Sequence, residues 1–405
     1  MIQKDKSTNS IFMSDRITGN SDCFCNDLGT LSGKDEISVR HIDAFDFNSW
    51  LGKHMQRYSN LGENAKGEAL EEKILCILMN QKVRCGSKSN VQLDQYKDQI
   101  LSTIRNNISS DEPVSILIPS FPFKFKNPLR TASTNADLAE IAAMTHLSGV
   151  CNAINSVYEN GAEFIVATDG LMYGQMSVAN LPDIIKYREG LKNIAKSIGA
   201  NCLKFVDIAE DLIAPLQNEW NETYDKNFKY TNENWEELKN TPHVQVLIRN
   251  SRRNINLEPV LGEDIPEHGS SEQEEFDNFY QTIYSDDPCG DPKRALVDHR
   301  SEEFVKVYLA INYTISDLKL YDRNFTDCLR GTIHPKPGQL GFHLIDKSTS
   351  RVPWSGVGVL RCNGSNKRGY VTVRNWFDVA REPDKYESLV LDDNTPLGFI
   401  EKSAA

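Results

Sequence analysis

No run in these 405 residues approaches the roughly 18 consecutive apolar residues that a membrane-spanning helix needs. The N-terminal stretch MIQKDKSTNSIFMSD also lacks the apolar centre of a secretion signal. Both absences point to a cytoplasmic protein with no membrane partner. Positive charge is scarce: 45 Lys and Arg stand against 57 Asp and Glu, a net of −12. That balance opposes binding to phosphate backbones and argues against nucleic acid. The nine cysteines are scattered and odd in number, so reduced thiols are expected in place of a disulfide framework. Cys23, Cys25, Cys76 and Cys85 do not have the spacing of a paired CxxC site, and no metal is expected. A G-x-G-x-x-G fingerprint is absent after the first strand pattern, which disfavours a dinucleotide cofactor. The G-x-S-x-G elbow of a serine nucleophile is absent too.

What is present reads as an α/β chain. Residues 1–36 are rich in Ser, Asn, Asp and Gly without an apolar period and read as a disordered leader. Folding is expected over 37–380, with 381–405 as a C-terminal tail. Helical patterns over 68–78 and 91–108 precede Val114–Ile118, a short β-branched run closed by Pro119, as in a buried strand. A helical stripe from Asp137 to Tyr158, a strand from Glu163 to Thr168, a helix near 181–197 and a strand from Cys202 to Val206 follow. This alternation predicts a Rossmann-like core over about 110–210, with a mainly parallel sheet and flanking helices. Residues 254–292 hold eleven acids and no Lys or Arg and read as a solvated, partly mobile connection. After a helix near 301–318, short strand patterns make 328–375 a β-rich C-terminal portion.

Two segments run against the acidic background. Pro113–Ala136 contains no acid but carries Lys124, Lys126 and Arg130 in a loop after a buried strand, where open α/β sheets collect their ligands. Residues 328–377 hold eight Lys or Arg against one acid. A solvated surface would explain either alone; together they point to an anion site for a phosphorylated metabolite. Asp169-Gly170 falls at a strand's carboxyl end, as an ordinary turn or as a ligand-facing acid. Asp137 and Glu140 open the long helix, where acids favour the helix N-terminus and can also form a carboxylate pair facing a cleft. In Arg330-Gly-Thr-Ile-His334, strand alternation puts Arg330, Thr332 and His334 on one face, which makes His334 a candidate acid or base.

These residues carry a resemblance. The run Pro119-Ser-Phe-Pro-Phe-Lys-Phe-Lys-Asn-Pro-Leu-Arg130, then Asp137-Leu-Ala-Glu140, Asp169-Gly170, Tyr187, Arg330-Gly-Thr-Ile-His334-Pro335 and Pro353-Trp354 resembles the isocyanide synthases of the pyoverdine/dityrosine biosynthesis family over about residues 70–375. The resemblance implies a Rossmann-like catalytic domain that joins an amino acid's amino group to ribulose 5-phosphate, converting the nitrogen to an isocyanide whose carbon comes from the sugar. It implies no cofactor beyond ribulose 5-phosphate as co-substrate. Lys124, Glu140, Asp169 and His334 become the expected catalytic residues. Lys126, Arg130 and Arg330 become anion-binding residues, and Asp137, Tyr187 and Trp354 further substrate contacts. Four positions depart from the family pattern: Arg130 stands for Lys, Gly331-Thr332 for a larger residue and Ser, and Ser355 for a frequent His. A tailoring oxygenase, fused in some relatives, is expected on a separate chain. An N-formyl amino acid synthase of dityrosine spore-wall synthesis and a non-catalytic phosphometabolite-binding protein are the alternatives. The substrate amino acid and the oligomeric state leave no linear pattern.

Overall fold

The computed structural model describes residues 47–83, 90–125, 127–174, 180–262, 265–266, 270–285, 290–333, 335, 337–345, 352–363, 368–390 and 396–402. The leader, Lys126, His334 and the cysteines at 23, 25, 85 and 289 lie outside the described residues.

Five strands form the central sheet: β1 (Val114–Pro119), β2 (Ala162–Thr168), β3 (Leu203–Asp207), β4 (Leu329–Thr332) and β5 (Leu340–Gly341). Their spatial order is β3-β2-β1-β4-β5 and every pairing is parallel. The apolar run Val114-Ser-Ile-Leu-Ile118 has no charged residue and lands at the centre of the sheet, as a strand covered on both faces should. The chain winds outward from β1 to β3, then returns after a long helical excursion to place β4 on the other side of β1. The β1/β4 boundary is therefore the point where the winding reverses, and ligand crevices of open α/β sheets form outside the carboxyl ends of strands at such points.

The helix Leu138–Asn155 connects β1 to β2, and every residue from Leu138 to Cys151 is buried. Total burial follows from its position: the central sheet lies on one side and a second sheet lies on the other. That second sheet comprises β6 (Val357–Asn363), β7 (Arg368–Arg374), β8 (Tyr386–Val390) and β9 (Pro396–Glu401), in the order β7-β6-β9-β8. Gly358 of β6 lies so close that a Cβ there would stand 2.4 Å from the Ala139 nitrogen. Only glycine lets strand and helix backbones meet at that distance.

Two expectations are corrected. The segment 381–405 is not a tail, because β8 and β9 complete the second sheet and bury Leu389, Leu397 and Ile400. Part of the acidic connection is folded: the helix Ser271–Tyr284 buries Phe276, Phe279 and Ile283 against Leu129, Leu257, Val297 and Phe377. Its acids face outward, with Glu275 paired to Lys293 and Asp277 to Arg381. No helix among the described residues is long and apolar enough to cross a membrane.

Candidate active site

The loop after β1 organises the site. At its start Phe121 adopts a φ of 55°, a left-handed backbone uncommon for a bulky residue. Packing holds it there: Phe121 is buried and its ring meets Trp354 edge-on at 5.2 Å. Pro122 then runs directly against the end of β2, where a Cβ on Gly170 would stand 2.0 Å from the Pro122 carbonyl oxygen. Gly170 is thus required by close approach of two chains, whereas the sequence expectation was a tight turn. Two residues further, Lys124 turns inward to the N-terminus of the 138–155 helix.

There, Lys124 Nζ lies 2.7 Å from Asp137 Oδ2 and 2.9 Å from Glu140 Oε2. Asp137 is the helix N-cap: its Oδ1 accepts from the Ala139 N–H at 2.7 Å, and its own N–H donates to Glu140 Oε2 at 2.8 Å. This is a capping box, so both carboxylates satisfy orphan donors of the helix start while facing Lys124. The Tyr187 hydroxyl donates to Glu140 Oε1 at 3.0 Å, and the Gly358 N–H donates to Asp137 Oδ2 at 3.4 Å. Burial disfavours the Lys124 charge, but Asp137 and Glu140 outweigh it and hold the ammonium above its ordinary range. Burial also pushes Glu140 up to about 7, helped by the Asp137 charge and opposed by Lys124. Tyr187 is pushed upward by burial and by Glu140, and stays a donor.

A second cluster occupies the carboxyl ends of β2 and β4. Asp169 follows β2 directly, and its Oδ1 is closed to solvent with no hydrogen-bond partner among the described residues. Burial, with the Asp207 charge beyond it, pushes its carboxyl up to about 7. The Asp169 charge in turn acts on Tyr173, Tyr308 and Tyr321, all held above their ordinary range chiefly by burial. Tyr173 and Tyr308 pack with ring centroids 5.4 Å apart, and Asn312 Nδ2 donates to the Tyr173 hydroxyl at 3.4 Å. Arg330 of β4 lays its guanidinium over the Tyr321 ring at 4.6 Å and reaches Asp322 at 3.5 Å. At the end of β3, Asp207 accepts from Thr168 at 3.4 Å and from Arg188 at 3.1 Å.

The fold thus brings Lys124, Asp137, Glu140 and Tyr187 into one closed set and places Asp169 and Arg330 around the tyrosines of the other. Trp354 meets the start of the loop after β1 through the Phe121 ring. Arg130, expected to hold an anion, is buried and committed to the scaffold: its Nε donates to the Arg253 carbonyl at 3.2 Å and its Nη1 to Asn375 Oδ1 at 3.1 Å. Tyr173, Tyr308, Tyr321 and Asn312 were not expected. The available signal was the helical spacing of Tyr308 and Asn312, and of Asp169 and Tyr173, but tyrosines on apolar helix faces are ordinarily core. A carboxyl that titrates near neutrality among buried phenols can take a proton from a bound group and return it, and the guanidinium over one of those phenols can orient an anion.

The profile of the family described as pyoverdine/dityrosine biosynthesis protein matches residues 104–374. The L-tryptophan isonitrile synthase of Fischerella ambigua is 22% identical over 261 residues, covering 63% of this chain and 72% of that protein. An L-tyrosine isonitrile synthase of Pseudomonas aeruginosa is 24% identical over 259 residues, covering 62% and 71%. The crystal structure of the PvcA protein from Pseudomonas aeruginosa superposes with a TM-score of 0.60 at 20% identity, covering 82% of this chain and 100% of that chain. That likeness shows the same fold.

Proposed function

The chain belongs to the pyoverdine/dityrosine biosynthesis protein family, and from that premise we propose that it is an isocyanide synthase condensing an L-amino acid with ribulose 5-phosphate. The relatives named as isonitrile synthases of tryptophan and tyrosine support the product class. One observation carries the chemistry: Asp169, raised to about 7, has no hydrogen-bond partner on Oδ1 among the described residues and lies at the carboxyl end of the sheet. An amino acid arrives as an ammonium and must lose a proton before its nitrogen can attack a ketone. A carboxylate that titrates near the working pH can accept that proton and later return one. The carbon–nitrogen bond then forms at the sugar ketone, and loss of water from the carbinolamine gives the imine. In this reading Arg330 holds a phosphate or carboxylate, and the three tyrosines supply hydroxyl donors that stay protonated. The closed Lys124–Asp137–Glu140 set fixes the loop against which Gly170, and so Asp169, is seated.

The test supplies ribulose 5-phosphate labelled with carbon-13 at its second carbon and pooled L-amino acids, with neither metal nor nicotinamide added. An isocyanide infrared stretch that shifts with the label is the expected result. A labelled N-formyl amino acid as the sole product from the earliest time point, in a buffer where authentic isocyanide survives, establishes the formamide reading. Binding of the sugar phosphate without consumption of either compound establishes a phosphometabolite-binding protein.

A further inference from the structure

The helix Pro292–Asp317 carries Arg300, Phe304, Tyr308 and Asn312 four residues apart, a spacing that sets each beside the next while the row winds about 40° around the helix axis at every step. The far end of this row belongs to the Asp169 cluster. Asn312 meets the Tyr173 hydroxyl, the Tyr308 and Phe304 rings lie 5.4 and 6.5 Å from the Tyr173 ring, and Phe304 stacks with Tyr308 at 6.1 Å. At about 1.5 Å of rise per residue, Arg300 stands about 12 Å along the axis from Tyr308.

Arg300 differs from the other basic residues of its helix. Arg294 pairs with Asp298 at 3.0 Å and donates to the Ser285 carbonyl at 3.1 Å, Lys306 pairs with Glu303 at 2.6 Å, and Lys293 pairs with Glu275 at 2.8 Å. Arg300 is half-buried, and its Nη1, like that of Arg294, is closed to solvent with no hydrogen-bond partner among the described residues, but Arg300 lacks the neighbouring carboxylate that Arg294 has in Asp298. A guanidinium N–H removed from water without an acceptor is costly, more so because the group is charged. An acceptor supplied from outside the chain removes that cost, and the planar fork of Arg suits a carboxylate or phosphate.

The geometry points to Arg300 as the anchor for an oxyanion, carboxylate or phosphate, of a substrate that lies along Phe304 and Tyr308 with its reacting end toward Asp169. The identity of the substrate rests on the isocyanide synthase reading; the anion site rests on the helix row and the unpartnered guanidinium. The experiment is calorimetric titration of the full chain with ribulose 5-phosphate, inorganic phosphate, L-tyrosine and L-tryptophan, using wild type, Arg300→Met and Arg300→Lys.

Arg300→Met keeps the apolar stem and removes the fork, so at least a tenfold loss of affinity is expected for one class of ligand, partly recovered in Arg300→Lys. Loss confined to ribulose 5-phosphate and phosphate assigns a phosphate anchor; loss confined to the amino acids assigns a carboxylate anchor. Affinities within twofold of wild type for all four ligands overturn the inference, as does a wild type that binds none of them. If Arg300→Met does not fold, Arg300→Lys decides, with at least a fivefold loss expected and unchanged affinity overturning the site. Arg300-dependent binding with no isocyanide formed by the wild type refutes the activity and leaves the anion site standing. Isocyanide formation with binding unaltered in the variants refutes the anion site alone.

Discussion

Lys124 and Glu140 meet at 2.9 Å with their side chains 1% and 0% exposed, so neither charge has water to fall back on. Their attraction is reinforced by Asp137 on the ammonium and by Tyr187 on the carboxylate. Such a set is costly to assemble and more costly to break, because removing one member strands the others in a medium that cannot solvate them. The pair sits between the loop after β1 and the helix that the two sheets enclose, so its geometry is passed to Phe121, Pro122 and Gly170.

Lys124→Met is therefore expected to destabilise the fold by about 3 to 5 kcal/mol, the usual cost of leaving a buried charge without its partner. The double variant Lys124→Met, Glu140→Gln should recover part of that loss, since a neutral amide tolerates burial better than a carboxylate. Urea unfolding of the single and double variants provides the comparison. Equal stability of wild type and Lys124→Met would mean that Asp137 and Glu140 are solvated in solution, contrary to the structure.

Asp169 gives a pH signature of opposite sense to the usual carboxylate. Its folded pKa is raised from 3.8 to about 7, so the folded chain binds the proton more tightly than the unfolded one. The stabilisation is fully present below about pH 4 and is lost as pH rises through about 7. It amounts to at most ~4 kcal/mol. Asn at 169 cannot ionise. The stability of Asp169→Asn relative to wild type should therefore increase from pH 4 to pH 7 and level off above, even as the variant loses activity. A stability difference that stays flat over this window would place the carboxyl in water.

Much of this architecture is legible in the chain because its signals are local. Val114–Ile118, Glu163–Thr168 and Cys202–Val206 are short, largely apolar runs separated by helical stripes, and they became β1, β2 and β3 within one or two residues. Asp137 and Glu140 have the spacing of a capping box, and they form one. The second sheet was less readable: β8 does not alternate, with Glu387 and Ser388 both exposed between buried Tyr386 and Leu389, and Gly398 interrupts the alternation that would mark β9. Acidic composition hid the 271–284 helix, because charge describes its outer face while Phe276, Phe279 and Ile283 set its inner one. At the site, loop and strand-end residues could be found from basic residues in an acidic chain. Tyr173, Tyr308 and Tyr321 could not, since they come from three separate helices and only the long-range path of the chain brings them to Asp169. Arg130 shows the converse: its charge resembled a ligand contact, but the fold uses it to tie the loop to the ends of two other elements.

Gly358 tests whether the second sheet supports the site. A Cβ at this position would stand 2.4 Å from the Ala139 nitrogen and 2.8 Å from the Leu138 Cβ, both parts of a helix start that cannot shift without moving Asp137. Gly358→Ala is expected to cost about 1 to 3 kcal/mol, as overpacking of a dense interior does. It should also lower turnover more than a variant of equal stability elsewhere in the sheet, because Asp137 would be displaced from Lys124. Matching losses of turnover in the two variants would confine Gly358 to packing.

Arg330 has two partners of its own, and magnitudes separate its roles. Its pair with Asp322 is long at 3.5 Å and the aspartate is exposed, so it contributes little. Stacking over Tyr321 at 4.6 Å is worth roughly 0.5 to 1 kcal/mol at a partly exposed site. Arg330→Ala should therefore reduce stability by less than about 1 kcal/mol. If the guanidinium also holds the anionic group of a substrate, kcat/KM should fall by roughly 2 to 5 kcal/mol, the cost of truncating one side of a buried charge pair. Arg330→Lys keeps the charge but loses the planar fork, and should recover only part of the activity. Equal small losses in stability and in kcat/KM would make Arg330 a brace for Tyr321 and would move the anion contact elsewhere. A large kinetic loss in a chain of nearly native stability would assign the contact to Arg330, with KM for the sugar phosphate and KM for the amino acid identifying which substrate it holds.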